Sequence, residues 1–291
     1  MKDLAQMFLG LSDEDFSVLS AVETGMRTHE WVPSFTIAEL SGLPARKADF
    51  LLTRLFEKKL VEKESIHYLG YRIDFAAYDL LALHDFVKTG TLLAIGERIG
   101  VGKESVVYEA LGTGERHLAI KFHRQGRSSF KHVRRLRDHL SDRPKVPWLY
   151  AAALAARHEY AIMEQLYSNV SIPEPISCNR HAIVMEFIDG LALNRIILSD
   201  PDSGLDLIQE EMKKAWIHGI VHADLSEFNI IMAEAGPCII DWPQAVRTDH
   251  PHAHELLERD LKNVLRFFGR KYGIDMPLEA ALQHVVEADL V

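Results

Sequence analysis

The chain has 291 residues, room for two domains at roughly 150 residues each. Its 33 Lys+Arg against 42 Asp+Glu leave a net charge of −9, which excludes a general nucleic-acid coat, because such binding draws on an excess of Lys and Arg against phosphate. Apolar residues make up 47% and charged residues 26%, an ordinary composition that excludes wholesale disorder. Cys178 and Cys238 are too few for a disulfide framework and stand in no Cys-x-x-Cys spacing, so free thiols in a reducing compartment are expected. The N-terminus shows no basic segment leading into an apolar core, and no apolar run approaches the ~20 residues of a membrane span. A cytoplasmic protein without a membrane partner follows as the expectation.

Asp13 to Met26 carries Phe16, Leu19 and Val22 at helical spacing behind Ser12 as an N-cap. Ser34 to Leu40 reads as a second short helix, broken by Ser41-Gly42-Leu43-Pro44. Ala45 to Lys58 resumes, with Phe50, Leu51 and Leu55 and the basic set Arg46, Lys47, Arg54, Lys58 and Lys59. Val61 to Ile73 alternates around Gly70 as two strands and a turn would. Helices followed by a hairpin make a winged helix, and Asp74 to Lys88 reads as a helix linking it to the rest. Residues 1–89 hold 10 Lys+Arg and 14 Asp+Glu, a net of −4, which favours a protein-docking module over a sequence-specific DNA reader.

From Gly90 the texture changes. Leu92 to Ile99, Val106 to Leu111 and Leu118 to Phe122 read as strands, with turn residues Gly112-Thr113-Gly114. Helical patterns follow, then a strand at Ala182 to Ile188. After Leu205 the chain reads as mostly helical, apart from Asn229 to Met232 and Cys238 to Ile240. A β-rich block followed by a helical block predicts an α+β fold of two lobes with a cleft between them.

Three clusters carry chemistry. Gly100-Val101-Gly102-Lys103-Glu104-Ser105 lies between two strands, where glycines let backbone amides and the Ser105 hydroxyl approach a phosphate. Because the next element is a strand, a Rossmann turn is excluded. Lys121 is a lone cation in an apolar strand, and burying an ammonium there calls for an anionic partner. Nucleotide phosphates are one such partner, and a helix carboxylate is another, Glu159 or alternatively Glu164. The third cluster is His222-Ala223-Asp224-Leu225-Ser226-Glu227-Phe228-Asn229, followed by Ile240-Asp241-Trp242-Pro243. Asp224 suits a base or orienter, while Asn229 and Asp241 are hard oxygen ligands for Mg²⁺, with Mn²⁺ as an alternative. His250, His252 and His254 read as a surface loop rather than a metal site.

Together these residues resemble the protein-kinase superfamily and, within it, the RIO family of atypical kinases, in the subgroup with an N-terminal winged helix. Gly100 to Tyr108 matches that family's phosphate loop, and His123 to Phe130 its signature loop. Met185-Glu186-Phe187-Ile188 is similar to the hinge, with Met185 as gatekeeper and the backbone of Glu186 and Ile188 facing adenine. Trp242 departs from the Phe usual in the family. The resemblance implies a winged-helix domain with its linker helix over 1–88 and a truncated two-lobe kinase domain over 89–291 (N-lobe 89–185, hinge 186–190, C-lobe 191–291).

It further implies Mg-ATP as cofactor, Lys121 on the α- and β-phosphates, Glu159 orienting Lys121, Asp224 as base, and Asn229 with Asp241 on the metal. No Ala-Pro-Glu motif follows Asp241, and the C-terminal part is too short for the subdomain that holds peptide substrates in ordinary kinases. The resemblance therefore points to an ATPase-like cycle through a transient phosphoaspartate at Asp241, acting on the pre-ribosomal small subunit. Residues 121–145 hold nine Lys+Arg and two Asp, +7 in a −9 chain. That segment and the winged helix are the expected contacts to ribosomal RNA and proteins. A small-molecule phosphotransferase resembling aminoglycoside kinases is the alternative, disfavoured by the winged helix and the basic segment.

Overall fold

A computed structural model describes residues 4–65, 68–124 and 147–287. Helix α1 spans Leu4–Leu9 and α2 spans Asp13–Gly25. Ser12 caps α2 reciprocally: its backbone N–H and its hydroxyl each donate to Asp15 Oδ2 at 2.8 Å, and Asp15 N–H donates to Ser12 Oγ at 3.4 Å. Strand β1 (Val32–Pro33), α3 (Ser34–Ser41), α4 (Ala45–Glu57), β2 (Val61–Glu64) and β3 (Gly70–Ile73) complete the winged helix, with sheet order β1-β3-β2. Gly70 begins a strand and does not make the turn. A Cβ there would lie 2.7 Å from Trp31 Cβ, so the close approach of a neighbouring chain segment, not a turn, calls for glycine.

Helix α5 (Phe75–Lys88) starts at the N-cap Asp74, whose side chain accepts from Ala77 N–H. Ala77, Tyr78, Asp79, Leu80, Leu81, Ala82, Leu83 and Phe86 are all buried. This helix is more than a linker: it is a core element against which the winged helix and the following sheet both pack.

Strands β4 (Leu92–Val101), β5 (Ser105–Gly112) and β6 (His117–His123), helix α6 (Pro147–Leu166), β7 (Pro175–Asn179) and β8 (Ala182–Glu186) follow. The five strands order as β4-β5-β6-β8-β7. Beyond them come β9 (Gly190–Ala192), α7 (Pro201–Ile217), β10 (Ile220–Val221), β11 (Ile230–Ala233), β12 (Gly236–Ile239), β13 (Val246–Arg247), α8 (Ala253–Tyr272) and α9 (Leu278–Val286). The short strands β9, β10 and β13, and β7 with its weak alternation, carry too few residues to show a period of two.

Two compact units emerge, Met1–Ala156 with Cys178–Val184, and Arg157–Ser177 with Met185–Val291. The first combines the winged helix with most of the five-stranded sheet. A buried polar cluster holds this unit together. Asp79 Oδ1 accepts from His181 Nε2 at 2.7 Å, Asp79 also pairs with Arg124, and the His181 ring stacks on Tyr78 at 4.4 Å. Beside it, Arg180 in the β7–β8 turn reaches Glu23 of α2 at 2.8 Å and Asp85 of α5 at 2.6 Å. Burial works against the Arg180 charge, but the two carboxylates outweigh it and raise its pKa. No helix among the described residues is long and apolar enough to cross a membrane.

Candidate active site

In the first unit, the phosphate-loop candidates occupy the end of β4, the start of β5 and the turn between them. Gly102 N–H donates to Ser105 O at 2.8 Å and closes the turn. A Cβ at Gly100 or Gly102 would meet nothing closer than 3.6 Å, and neither glycine has a positive φ. Neither the turn nor the packing therefore requires glycine. The bare backbone is open to a ligand, as a phosphate cradle needs. Val101, Lys103 and Glu104 complete the loop, Lys103 exposed and Glu104 half-buried.

Register places Lys121 beneath that loop. Gly100 pairs with Val107 and Val107 with Lys121 across three antiparallel strands. Directly opposed residues share a face, so the Lys121 side chain rises on the face where Gly100 has none. Lys121 is 4% exposed, and Phe122 beside it is buried in the core. His123 ends the strand, and Arg124 just beyond it donates its N–H to Glu104 O at 2.5 Å. The rest of the signature loop and of the basic segment, residues 125–145, lies outside the described residues.

In the second unit the structure brings Glu159, His222, Asp224, Asn229 and Asp241 into one hydrogen-bonded assembly. Asp224 is exposed, while Asn229 and Asp241 are half-buried. Asn229 donates through Nδ2 to Asp224 O at 3.0 Å, and its backbone O accepts from Ile240 N–H at 3.0 Å. The Asp224 loop and the segment leading from β12 to Asp241 are thereby stitched together. The bond to Asp224 O engages the amide nitrogen of Asn229 and leaves its side-chain oxygen as the donor atom that could meet a cation. Asn229 and Asp241 together give hard oxygen donors, too few to close an octahedral shell unaided; Mg²⁺ takes the remainder from phosphates and water. These residues fit a nucleotide-bound Mg²⁺.

Two non-glycine residues in this assembly are left-handed, Ala223 at φ 63° and Asp241 at φ 71°. Such conformations cost free energy and gather at functional sites. What holds them was not foreseen from sequence. Asp260 on α8 accepts from Ala223 N–H at 2.7 Å and from Leu225 N–H at 3.0 Å. Arg259 donates to Ala223 O, and Asn263 Nδ2 to Leu225 O at 3.1 Å. Four bonds from one helix thus fix the backbone on both sides of Asp224. Burial pushes the Asp260 carboxyl up to about 7, although its two amide donors favour the ionised form.

His222 ties the Asp224 loop to the segment just before Asp241. Its Nε2 lies 3.0 Å from Ile240 O, and its Nδ1 accepts from Asp224 N–H at 3.3 Å. Both contacts are satisfied when Nε2 carries the proton and donates to the carbonyl. Glu159 is buried, and its Oε1 accepts from Trp242 N–H at 2.9 Å. Glu164, its alternative, lies on the same helix. Met185 ends the buried run of β8, and Glu186 N–H donates to Glu174 O at 2.9 Å. Glu186 is therefore left with its carbonyl to offer a base, followed by the half-buried Ile188. Among the described residues no group of three His, Cys, Asp or Glu could hold a metal by itself. His252 pairs with Glu255 at 3.0 Å instead.

Comparison with known proteins agrees with this geometry. The RIO domain matches residues 106–281, and the Rio2 N-terminal domain matches residues 8–89. The RIO-type serine/threonine-protein kinase Rio2 of Methanocaldococcus jannaschii is 43% identical over 257 residues, covering 86% of this chain and 94% of that protein. The serine/threonine-protein kinase rio2 of Schizosaccharomyces pombe is 38% identical over 266 residues, covering 90% and 77%. Among solved structures, the Rio2 kinase–ADP/Mg²⁺–phosphoaspartate complex from Chaetomium thermophilum superposes with a TM-score of 0.82 at 32% identity, covering 98% of this chain and 90% of that one.

Proposed function

The chain belongs to the RIO family of serine/threonine-protein kinases, and on that premise we propose that it turns over Mg-ATP through the residues assembled above. Lys121 holds the α- and β-phosphates beneath the Gly100–Ser105 loop, and Glu159 is the carboxylate assigned to orient Lys121. The Glu186 carbonyl and the Ile188 amide read adenine beside Met185. Asn229 and Asp241 would hold the metal, which would supply neutralising charge to the transferring phosphoryl group. Asp224 orients the attacking water and takes its proton.

Asp241 is also the proposed phosphoryl acceptor, as the phosphoaspartate of the Chaetomium thermophilum structure suggests. A carboxylate oxygen forms a bond to the γ-phosphorus while the bond to the bridging oxygen breaks and ADP departs. Water then attacks the acyl phosphate, returning aspartate and inorganic phosphate. The observation that carries this reading is the left-handed Asp241, half-buried and stitched to the Asp224–Asn229 loop through Ile240.

The partner we propose is the pre-ribosomal small subunit, in the cytoplasm. Three of the five cations named on α4 and just after it serve the winged helix itself: Lys47 pairs with Glu14, Arg54 with Asp15, and Lys58 donates to Gly10 O at 3.1 Å. Contact with RNA phosphate accordingly falls mainly to the basic segment 121–145. Asp224→Ala tests the core of the proposal. It should abolish ATP turnover while nucleotide binding survives; turnover at the wild-type rate would remove Asp224 from its role.

A further inference from the structure

From the hydrogen bonds around Trp242 we infer that its indole N–H is a positioning group that fixes Asp241 for metal binding. Trp242 is 1% exposed. Its Nε1–H donates to Ile239 O at 3.1 Å, closing a loop around Ile240 and Asp241. The same residue's backbone N–H donates to Glu159 Oε1 at 2.9 Å. Its ring packs on His222 with centroids 4.6 Å apart, and His222 Nε2 in turn holds Ile240 O at 3.0 Å. On the strand side, Ile239 N–H donates to Ser171 O at 2.8 Å and Ile240 N–H to Asn229 O at 3.0 Å.

The backbone is thus gripped immediately before and immediately after Asp241, which sits at φ 71°. That conformation is uphill for a residue with a Cβ, though aspartate tolerates it better than most. A bond bridging residues 239 and 242 limits relaxation of the one between them that faces the cation. Phenylalanine can fill the same space and stack on His222 but has no N–H to give Ile239 O. Trp242 thereby adds a constraint on the metal-ligand geometry that a phenyl ring cannot supply. The inference rests on the assignment of Asp241 as a metal ligand.

Trp242→Phe isolates the N–H, since ring burial is largely kept. The probe is Mn²⁺ binding to the protein–ADP complex, read from the free-ion electron paramagnetic resonance signal. The loss of one neutral hydrogen bond predicts that the Mn²⁺ dissociation constant rises about two- to tenfold, with ADP affinity in the absence of divalent ion unchanged. An unchanged Mn²⁺ constant, or an equal loss in metal-free ADP binding, overturns the inference. Asp241→Asn runs alongside: wild-type Mn²⁺ affinity there would remove the metal-ligand assignment itself, an outcome separate from that of Trp242→Phe. If Trp242→Phe does not fold, the ¹⁵N-labelled indole resonance of Trp242 in the wild-type ADP complex decides. It should shift on adding Mg²⁺, and an unmoved resonance overturns the inference.

Discussion

Replacing Asp260 by asparagine would disturb the Asp224 loop without touching a residue that contacts nucleotide. The Asp260 carboxylate accepts from Ala223 N–H at 2.7 Å and from Leu225 N–H at 3.0 Å. An asparagine of the same shape turns its NH₂ toward one of these donors, leaving a buried N–H unpaired at a cost of about 1–3 kcal/mol. Ala223 at φ 63° gives the loop a direction in which to relax. If that cost falls on the geometry of Asp224 at the transition state, kcat drops roughly 5- to 150-fold. KM for ATP should stay within about twofold, because these α8 bonds end on Ala223 and Leu225 and none on a residue assigned to the nucleotide. Steady-state ATP hydrolysis gives both constants, and circular dichroism confirms the fold. A folded Asp260→Asn with wild-type kcat would refute the claim that α8 positions the catalytic loop.

Other predictions follow from the buried charges. Arg180→Met strands Glu23 and Asp85, and it should cost about 3 kcal/mol, the low end of the range for a broken buried pair, since Asp85 is 37% exposed. A double-mutant cycle with Glu23→Gln in chemical denaturation should show coupling, and strict additivity would contradict the network. Burial pushes His181 down to about 4 from an ordinary 6.5. Between those values the unfolded chain binds the extra proton, so the stability this group contributes is present above pH 6.5 and lost as pH falls toward 4, by up to about 3 kcal/mol. Asp260 has the opposite sign. Its folded pKa is raised from 3.8 to about 7, so its contribution is present below pH 3.8 and lost as pH rises through 7. Thermal melts against pH should therefore be flatter on the acid side for His181→Gln, and Asp260→Asn should gain on the wild type as pH rises from about 3.8 to 7. Parallel curves for all three proteins would contradict both assignments.

Much of this architecture was legible in the sequence where local physics decides it. Ser12 caps its helix as a short polar residue before an apolar periodic run does, and the helix expected from Asp74 to Lys88 forms with Asp74 at its N-cap. The strands flanking the Gly100 loop announced themselves by β-branched and apolar residues. Gly70 was misread because a glycine between two strand-like runs looks the same whether it turns or admits a neighbour such as Trp31. Helix α5 reads as a linker by position, yet its nearly unbroken apolar composition already described a buried element. Asp260, Arg259 and Asn263 escaped notice as functional residues for a different reason. They reach backbone groups 35 or more residues away, and such bonds leave no periodic mark. The alignment of Lys121 with Gly100 was likewise invisible until the register of three strands was known.

The most direct measurement is to incubate the protein with Mg²⁺ and γ-³²P-labelled ATP, quench it, and locate the transferred phosphoryl group. A hydroxylamine-sensitive label on Asp241, absent from Asp241→Asn, is the predicted result. ATP consumption with label only on serine or threonine, or with label retained in Asp241→Asn, would contradict the account.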